Sequence, residues 1–307
     1  MGLNLMENRR PLIAEIKRNS LDDGPGIRSV VFFKGCPLSC VWCHNPECMS
    51  AGPELLYREA QCIGCRSCAK VCLEKAIPEE NGPAGRDPAK CRLCGTCADE
   101  CPSGALTLVG KYYTPDELVE TLAKDKAFYD NSGGGVTLSG GEPTLAMDYT
   151  AEAAKKLKER GIHVLLETCG DFDWERFSEK LLPYVDRVFV DMKLCAPELH
   201  QKYTRRDNDR IKPNIERLLK IERLNTLVRV PLIPEVTATR ENLEAIAQWM
   251  RERGLARIAL LPYNPLWLAK ARGLQKNPAY SRDTWMSKEE REQVKKIFEG
   301  FEIERDI

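Results

Sequence analysis

Cysteines are concentrated in the first third of this chain, and they limit what it can fold into. Of the 14 cysteines in 307 residues, Cys169 and Cys195 alone lie beyond residue 101. A small secreted protein could place so many cysteines in disulfides, but this chain is far longer than such scaffolds. In a reducing compartment, clustered cysteines are more often metal ligands. The sequence therefore predicts metal centres and a cytoplasmic protein.

The first cluster, Cys36-Pro-Leu-Ser-Cys40-Val-Trp-Cys43, has the spacing CxxxCxxC. Three thiolates so close in sequence can hold one cubane [4Fe–4S] cluster and leave its fourth iron without a protein ligand. An open coordination position is typical of a catalytic metal centre, whereas a structural centre is normally closed. The alternative is a Cys3His zinc site completed by His44. Adjacent residues such as Cys43 and His44 are poorly placed to bind one tetrahedral ion.

Two further clusters form an internal repeat with the spacing C-x2-C-x2-C-x3-C. The first run is Cys62, Cys65, Cys68 and Cys72, and the second is Cys91, Cys94, Cys97 and Cys101. In bacterial two-cluster ferredoxins, the fourth cysteine of each run binds the other cluster. We therefore expect one cluster on Cys62, Cys65, Cys68 and Cys101, and the other on Cys91, Cys94, Cys97 and Cys72. Paired zinc ribbons are the competing interpretation. Cys48, Cys169 and Cys195 remain, and we expect them to be ordinary small residues.

The remainder of the chain alternates between apolar runs and helical stretches. Residues 26–35 read as a strand that leads directly into Cys36. Further buried parallel strands are predicted at Val136–Leu138, Ile162–Leu166, Val185–Val190, Leu227–Ile233 and Ile258–Leu261. Helices are predicted near 147–160, 173–182, 213–224 and 239–253, and capping boxes at Thr114 and Ser287 start two more.

Alternating β and α units of this kind predict an α/β fold with a parallel sheet. Six units are too few for an eight-stranded barrel, so we expect a partial (β/α)6 TIM-like barrel formed by residues 1–49 and 110–307. A ferredoxin-like domain with two [4Fe–4S] clusters would be inserted at residues 50–109. A flat, doubly wound sheet is the alternative.

Polar residues follow the predicted strands, where α/β folds place their chemistry. They are Ser139-Gly140-Gly141-Glu142-Pro143, Glu167-Thr168-Cys169-Gly170, Asp191-Met192-Lys193 and Pro262-Tyr263-Asn264. Any single carboxylate here could be an ordinary solvated residue. Acidic residues at the ends of three consecutive apolar strands are harder to explain in that way, so we expect them to share one site.

In these features the sequence resembles the radical SAM superfamily and, within it, the activating enzymes of glycyl radical enzymes. The resemblance rests on Asp23-Gly24-Pro25-Gly26-Ile27-Arg28, on Cys36, Cys40 and Cys43-His44-Asn45-Pro46, and on Ser139-Gly140-Gly141-Glu142-Pro143. It covers nearly the whole chain. The cysteine runs inserted before the Gly-Gly-Glu segment indicate the branch that activates lyases, decarboxylases and dehydratases.

The resemblance implies how S-adenosylmethionine (SAM) binds. Its amino and carboxylate groups would chelate the open iron, and the amino group would also contact Gly140, Gly141 and Glu142. Backbone near Trp42 and His44 would hold the adenine. Further contacts are implied for Asp191, Met192, Lys193, Arg229 and Asn264. A monovalent cation on Glu167, Thr168 and Asp191 is also implied, although Glu167 stands where an aspartate is more familiar.

The implied reaction is reductive cleavage of SAM to a 5′-deoxyadenosyl radical. That radical would take a Cα hydrogen from a glycine of a partner glycyl radical enzyme under anaerobic conditions. A flavodoxin or ferredoxin-type protein would supply electrons through the two additional clusters. One alternative is a radical SAM maturase or small-molecule enzyme with auxiliary clusters, although many of those carry the extra cysteines toward the C-terminus. The other is a ferredoxin-like electron carrier, which leaves the Cys36 motif without a purpose.

The composition and the first residues argue against a nucleic-acid-binding, membrane-spanning or secreted protein. The 46 basic and 46 acidic residues balance, so the chain has no strong field for nucleic acid. It also lacks an apolar run of the roughly 20 residues that a membrane span needs. The first residues lack a signal-peptide core and, with Met6, the myristoylation pattern. Trp267 and Trp285, in the segment 264–286, could contact a partner, but aromatic residues there are more often packing.

Overall fold

The structure is a computed structural model that describes residues 10–304. Met6, on which the expected absence of a myristoylation pattern rests, lies outside the described residues. Between residues 10 and 304 the strands are β1 (Leu12–Ser20), β2 (Arg28–Phe33), β3 (Glu54–Tyr57), β4 (Leu106–Val109), β5 (Lys111–Tyr112), β6 (Gly135–Gly140), β7 (Val164–Thr168), β8 (Arg187–Asp191), β9 (Leu227–Leu232), β10 (Arg257–Pro262) and β11 (Glu302–Ile303).

The α-helices of the same described range lie mostly between the strands. They are α1 (Ser67–Lys70), α2 (Thr96–Asp99), α3 (Pro115–Ala123), α4 (Lys126–Ser132), α5 (Met147–Glu159), α6 (Trp174–Lys180), α7 (Pro197–Thr204), α8 (Ile211–Leu219), α9 (Arg240–Arg251), α10 (Trp267–Gly273) and α11 (Lys288–Ile297). Among these residues no helix combines the length and apolar character needed to cross a bilayer.

The main sheet has nine strands in the order β11-β10-β9-β8-β7-β6-β2-β1-β5. The six predicted strands, β2 and β6 to β10, are parallel neighbours in sequence order. A doubly wound sheet reverses its strand order at a switch point, so this one-directional order excludes the flat, doubly wound alternative. The prediction of a purely parallel sheet was only partly correct. At one edge β1 pairs antiparallel with β2 and also with β5, and the sheet is therefore mixed.

The predicted helices are present with shifted ends because local signals set their limits. The predicted capping boxes at Thr114 and Ser287 start α3 and α11. In α9, Thr239 accepts a hydrogen bond from the Asn242 amide, and Leu243, Ile246, Ala247 and Met250 form its buried face. The helix predicted at 213–224 ends earlier, at Leu219, and a short 3-10 turn follows at Glu222–Leu224.

Arg28 fixes the end of the sheet opposite the cysteine loop. Its side chain is fully buried. The guanidinium donates hydrogen bonds to Thr137 Oγ1 (2.7 Å), to the Val136 carbonyl (2.6 Å) and to the Pro25 carbonyl (3.2 Å). A Cβ on Gly26 would lie 2.4 Å from the Gly134 amide nitrogen, so this turn needs glycine. The Asp23–Arg28 motif thus holds the first parallel strand against its neighbour.

The two cysteine runs lie between β3 and β4, which pair with each other in a separate two-stranded sheet. Glu54 pairs with Val109, and Tyr57 pairs with Leu106. A small apolar cluster of its own packs beneath the runs and includes Leu55, Cys68, Ile77, Cys97 and Leu106. The chain therefore leaves and rejoins the larger sheet at adjacent points.

His200 gives the fold a predictable pH dependence. Its buried Nδ1 donates to the Arg206 carbonyl at 2.6 Å. Burial lowers the pKa of His200 and outweighs that opposing hydrogen bond. Below about pH 6.5, His200 is protonated in the unfolded chain but stays largely neutral in the folded chain. The free energy of unfolding therefore falls as the pH decreases through this range.

Asparagine at position 200 can donate to the same carbonyl but does not titrate. We expect His200→Asn to lose less stability than the wild type between about pH 7.5 and about pH 5.5, measured by denaturant unfolding. Equal losses in the two proteins would contradict this assignment.

Candidate functional site

A cavity of about 220 Å³ opens at the carboxyl ends of the parallel strands. It collects most of the residues that the sequence predicted to share a site. Those lining it are Cys36, Cys40, Trp42, Cys43, His44, Gly140, Gly141, Glu167, Thr168, Asp191, Lys193 and Arg229. Residues separated by almost 200 positions in sequence therefore meet in one place, as expected for the strand ends of one parallel sheet.

The cysteine loop is fastened to the fold through its backbone. The Gly35 amide donates to the Cys48 carbonyl at 2.8 Å, and the Cys36 amide donates to the Met49 carbonyl at 3.2 Å. On the other side, the Ser39 amide donates to the Thr204 carbonyl at 2.7 Å, at the end of α7. Both sides of the loop are held, so the three thiols face the cavity from fixed positions.

Burial controls the acidity of these three thiols. It raises the pKa of Cys40 to about 12 and that of Cys43 to about 11, and it raises the pKa of Cys36 well above its ordinary value. Thiolates in so buried a place need positive charge beside them, which a metal centre supplies because ligand binding displaces the proton. The donor set is therefore suited to a metal cluster rather than to free reactive thiols.

Trp42 and His44 form the wall beside the cysteines. Trp42 is buried. The His44 ring stacks on Trp267 at 6.5 Å and contacts Tyr263 at 5.8 Å, and its buried Nε2 has no hydrogen-bond partner among residues 10–304. Burial, followed by Lys270, lowers the pKa of His44 to about 4, so the ring is neutral. The Trp267 side chain is buried and packs in the core, whereas Trp285 is 57% exposed.

The Gly-Gly-Glu segment is tight against the cysteine loop. A Cβ on Gly141 would lie 2.1 Å from the Gly35 carbonyl oxygen and 2.6 Å from that of Cys48. Gly140 has a φ of +106°, and its Cβ would meet the Phe33 backbone at 2.3 Å. The backbone packing is therefore enough by itself to require glycine at both positions. This packing fixes the position of the Gly-Gly-Glu segment relative to the cysteine loop.

Glu142 performs a structural task with its side chain. It is buried, and its carboxylate accepts hydrogen bonds from Thr144, from the Thr168 hydroxyl (3.0 Å) and from the Cys169 amide (2.8 Å). Burial raises its pKa in spite of these bonds. The carboxylate therefore ties the end of β6 to the end of β7, and it does not line the cavity.

Two acidic and two basic side chains form a compact network in the cavity wall. Arg229 donates to Glu167 Oε1 at 2.5 Å and to Asp191 Oδ1 at 2.9 Å, and Lys193 donates to Asp191 Oδ2 at 2.8 Å. Burial raises the pKa of Glu167. Burial acts in the same direction on Asp191, but Arg229 and Lys193 outweigh it and lower the Asp191 pKa below its ordinary value.

Two other predicted residues lie apart from the cavity lining. Met192 is 1% exposed and packs in the main core, and its amide donates to the Arg229 carbonyl. Asn264 accepts a hydrogen bond from the Leu266 amide at 2.9 Å, which shapes the turn after β10. Their predicted SAM contacts remain predictions.

Sequence reasoning missed the lysines that hold the loop after the cysteines. Lys270 donates to Glu47 at 2.6 Å and Lys276 donates to the Pro46 carbonyl at 2.6 Å, while Lys34 pairs with Glu54 at 2.9 Å. No local pattern relates position 270 to position 47, so only the fold could reveal these pairs. Cys169, which we expected to be an ordinary small residue, is buried but lines the cavity.

The second cysteine set forms a separate cavity of about 240 Å³. Cys62, Cys65, Cys68 and Cys101 all line it, as the crossed ligand assignment requires. In the other set, burial raises the pKa of Cys97 to about 11, and Cys91, Cys94, Cys68 and Cys72 all add to that effect. Cys101 thus lies with the first three cysteines of the first run, while the grouping of Cys72 with Cys91, Cys94 and Cys97 stays a prediction.

The donor sets fit iron–sulfur clusters. All fourteen cysteines are free thiols. Within the described part of the chain, no three His, Cys, Asp or Glu side chains converge on the position of a single metal ion. A cubane cluster distributes its cysteine ligands over several iron atoms, so its ligands need only to surround a common space. Cys36, Cys40 and Cys43 line the main cavity together with Cys169, and Cys62, Cys65, Cys68 and Cys101 line the second cavity, so these two sets meet that requirement.

Comparisons with known proteins agree with this geometry. The radical SAM superfamily matches residues 88–250, and the 4Fe-4S dicluster domain matches residues 61–106. The trans-4-hydroxy-L-proline dehydratase activating enzyme of Clostridioides difficile is 38% identical over 94% of this chain and 96% of its own length. The isethionate sulfite-lyase activating enzyme of Oleidesulfovibrio alaskensis is 39% identical over 83% of this chain and 84% of its own length.

A third relative, the pyruvate formate-lyase 2-activating enzyme of Escherichia coli (strain K12), is 36% identical over 94% of this chain and 88% of its own length. With a superfamily match over more than half of its residues, the chain is a radical SAM protein. Within that superfamily it belongs to the family of activating enzymes of glycyl radical enzymes, as its resemblance predicted.

Proposed function

We propose that this chain is a radical SAM activase that removes a Cα hydrogen from a glycine of a partner glycyl radical enzyme. The observation that carries the proposal is the single cavity in which Cys36, Cys40 and Cys43 face Gly140 and Asp191. The lining combines thiols for a cluster with charged groups suited to the amino acid portion of SAM. A partner of the lyase, decarboxylase or dehydratase type follows from the names of the relatives.

The cofactors would be three [4Fe–4S] clusters and SAM. When bound, they supply one-electron reductive cleavage of the sulfonium and hence the radical that takes the hydrogen. The chain's own residues orient and shield this chemistry. Trp42 and the neutral His44 form the wall on the cysteine side, the Gly140-Gly141 backbone borders the cavity, and Lys193 and Arg229 offer N–H donors to a carboxylate.

The architecture we propose is a partial (β/α)6 TIM-like barrel with a ferredoxin-like domain inserted at 50–109. It is supported by the one-directional order of six parallel strands and by the pairing of β3 with β4 at the ends of the cysteine runs. A flavodoxin or ferredoxin-type protein would deliver electrons to the inserted clusters. Fourteen free thiols suit a reducing, anaerobic cytoplasm.

The decisive experiment uses a panel of purified glycyl radical enzymes. Reconstituted, reduced protein should cleave SAM and produce a glycyl-radical EPR signal on at least one panel member. A protein that transfers electrons but leaves SAM intact would be a ferredoxin-like carrier. SAM cleavage without a radical on any panel member would favour a maturase or small-molecule enzyme. Either result would contradict the proposed activity.

The crossed ligand assignment makes a prediction about paired variants. Cys101→Ser should lose the same cluster as Cys62→Ser, and Cys72→Ser the same cluster as Cys91→Ser. Each loss should lower iron content from about 12 to about 8 atoms per chain, because each cluster contains four. Iron analysis and EPR of the reduced proteins distinguish the two clusters. Cys195→Ser, outside both sets, is the control and should keep its iron; matching spectra for Cys72→Ser and Cys62→Ser would contradict the assignment.

A further inference from the structure

Glu167, Thr168 and Asp191 were the residues on which the resemblance implied a monovalent cation. The two carboxylates of this trio are already neutralised by side chains of the chain itself. We propose that the guanidinium of Arg229 takes the place of that cation, so that this chain binds SAM without K⁺ or Na⁺. This inference rests on the proposed function, because it concerns the site at which SAM would bind.

Each carboxylate oxygen of the pair has its own donor. For Glu167, Oε1 accepts from Arg229 at 2.5 Å and Oε2 accepts from the Ser139 hydroxyl at 2.6 Å. For Asp191, Oδ1 accepts from Arg229 at 2.9 Å and Oδ2 accepts from Lys193 at 2.8 Å. A bound metal ion would need oxygen ligands, and these four oxygens already have charge-assisted or hydroxyl partners.

The charge balance of the network leads to the same conclusion. Two carboxylates face one guanidinium and one ammonium, so the group is formally neutral. An added monovalent cation would gain little attraction from this neutral group. It would also lie beside a guanidinium of the same sign in a buried place, where repulsion is poorly screened.

The geometry explains why a glutamate is needed at position 167. Glu167 is on β7 and Arg229 is on β9, with β8 between them. Neighbouring strands are about 4.8 Å apart, and Glu167 is level with Leu227 rather than with Arg229, so the side chains must bridge more than roughly twice that distance. An aspartate would be shorter by one bond, about 1.5 Å, and would not reach hydrogen-bond distance from the same backbone position.

Packing holds Arg229 in this bridging position. Asp191 lies opposite Arg229 in the register of β8 and β9. The guanidinium also lies 5.4 Å from the centroid of the Phe189 ring, an arrangement in which cation and aromatic face attract each other. A guanidinium has five N–H donors, so it can hold both carboxylates and still offer a donor to the SAM carboxylate.

The first test is a salt series on the reconstituted wild-type protein. SAM affinity is measured in KCl, NaCl and choline chloride at equal ionic strength. We expect Kd values that agree within about twofold, since no ion-specific site contributes to binding. A loss of about tenfold or more in choline chloride would overturn the proposal. Failure to bind SAM in every salt would instead contradict the proposed function, so the two failures are distinguishable.

The second test exposes the carboxylate pair. Arg229→Gln removes the guanidinium charge, and Arg229→Lys is the matched control that retains a cation. For Arg229→Gln we expect SAM binding to weaken by about tenfold or more in choline chloride and to recover several-fold in KCl or NaCl. Arg229→Lys should respond equally to all three salts.

A thermal readout requires neither cluster nor SAM. The melting temperature of cluster-free Arg229→Gln should rise in KCl or NaCl relative to choline chloride, because an ion that binds only the folded state stabilises it. The cluster-free wild type should melt at the same temperature in all three salts. If Arg229→Gln folds but gains no response to K⁺ or Na⁺ in binding or melting, Arg229 does not stand in for a cation, and the proposal fails.

Discussion

Replacing Cys43 by alanine should abolish SAM cleavage and remove about four iron atoms per chain. The CxxxCxxC motif offers three thiols to the open-site cluster, and two of them cannot hold a cubane cluster that already lacks a fourth protein ligand. The fold itself should survive, because losing one small buried group costs on the order of 1 kcal/mol. Iron analysis, SAM-cleavage assays and thermal unfolding of the same preparation measure all three expectations.

The matched control is Cys195→Ala, a cysteine that packs against the core and lies outside the cavity lining. This variant should keep its full iron content and its SAM cleavage. If Cys43→Ala retained the iron of all three clusters, the assignment of the open site would be wrong. If it lost iron from every cluster, the effect would be general unfolding rather than the loss of one ligand.

Gly141→Ala is expected to be strongly destabilising although it adds only one methyl group. Its Cβ would lie 2.1 Å from the Gly35 carbonyl and 2.6 Å from the Cys48 carbonyl, and both are backbone atoms that cannot rotate away. The cysteine loop must then move outward. We expect a loss of about 3 kcal/mol of stability or more, together with loss of the open-site cluster. Chemical denaturation and iron content are the measurements.

Gly52→Ala provides the comparison at an unconstrained position. Its Cβ would meet the Ser50 hydroxyl at 3.8 Å, an ordinary contact, and its φ is not in the left-handed region. Its stability should change by less than about 1 kcal/mol. If Gly141→Ala kept wild-type stability but weakened SAM binding, Gly141 would serve only the approach of the ligand, and the packing explanation would be wrong.

The sequence predicted the site well where its signals were local. The spacing of Cys36, Cys40 and Cys43 and the polar residues that end β6, β7 and β8 were visible without coordinates, because parallel strands bring their carboxyl ends together. Most of these residues line one cavity, although Glu142 and Met192 do not. Their contacts with SAM and the clusters stay predictions.

Two kinds of feature could not be predicted. β1 was missed because it is half exposed: Glu15, Lys17 and Arg18 interrupt its apolar residues, and the search for continuous buried runs finds interior strands. The network of Glu167 with Arg229 was missed because it spans three strands. Such a bond depends on the length of the side chains and on the register of the strands, and the local pattern of residues predicts neither of them.

The pairing of β3 with β4 has a consequence for how proteins of this shape diversify. The 48 residues between Tyr57 and Leu106 begin and end on hydrogen-bonded partners, so a whole cysteine-bearing segment enters and leaves at a single point. Segments joined in this way can be gained or lost during evolution without breaking the hydrogen bonds of the main sheet, because their ends pair with each other in a separate sheet. The cysteine-bearing segment between β3 and β4 can thus vary more freely than the main sheet and the cavity at its strand ends.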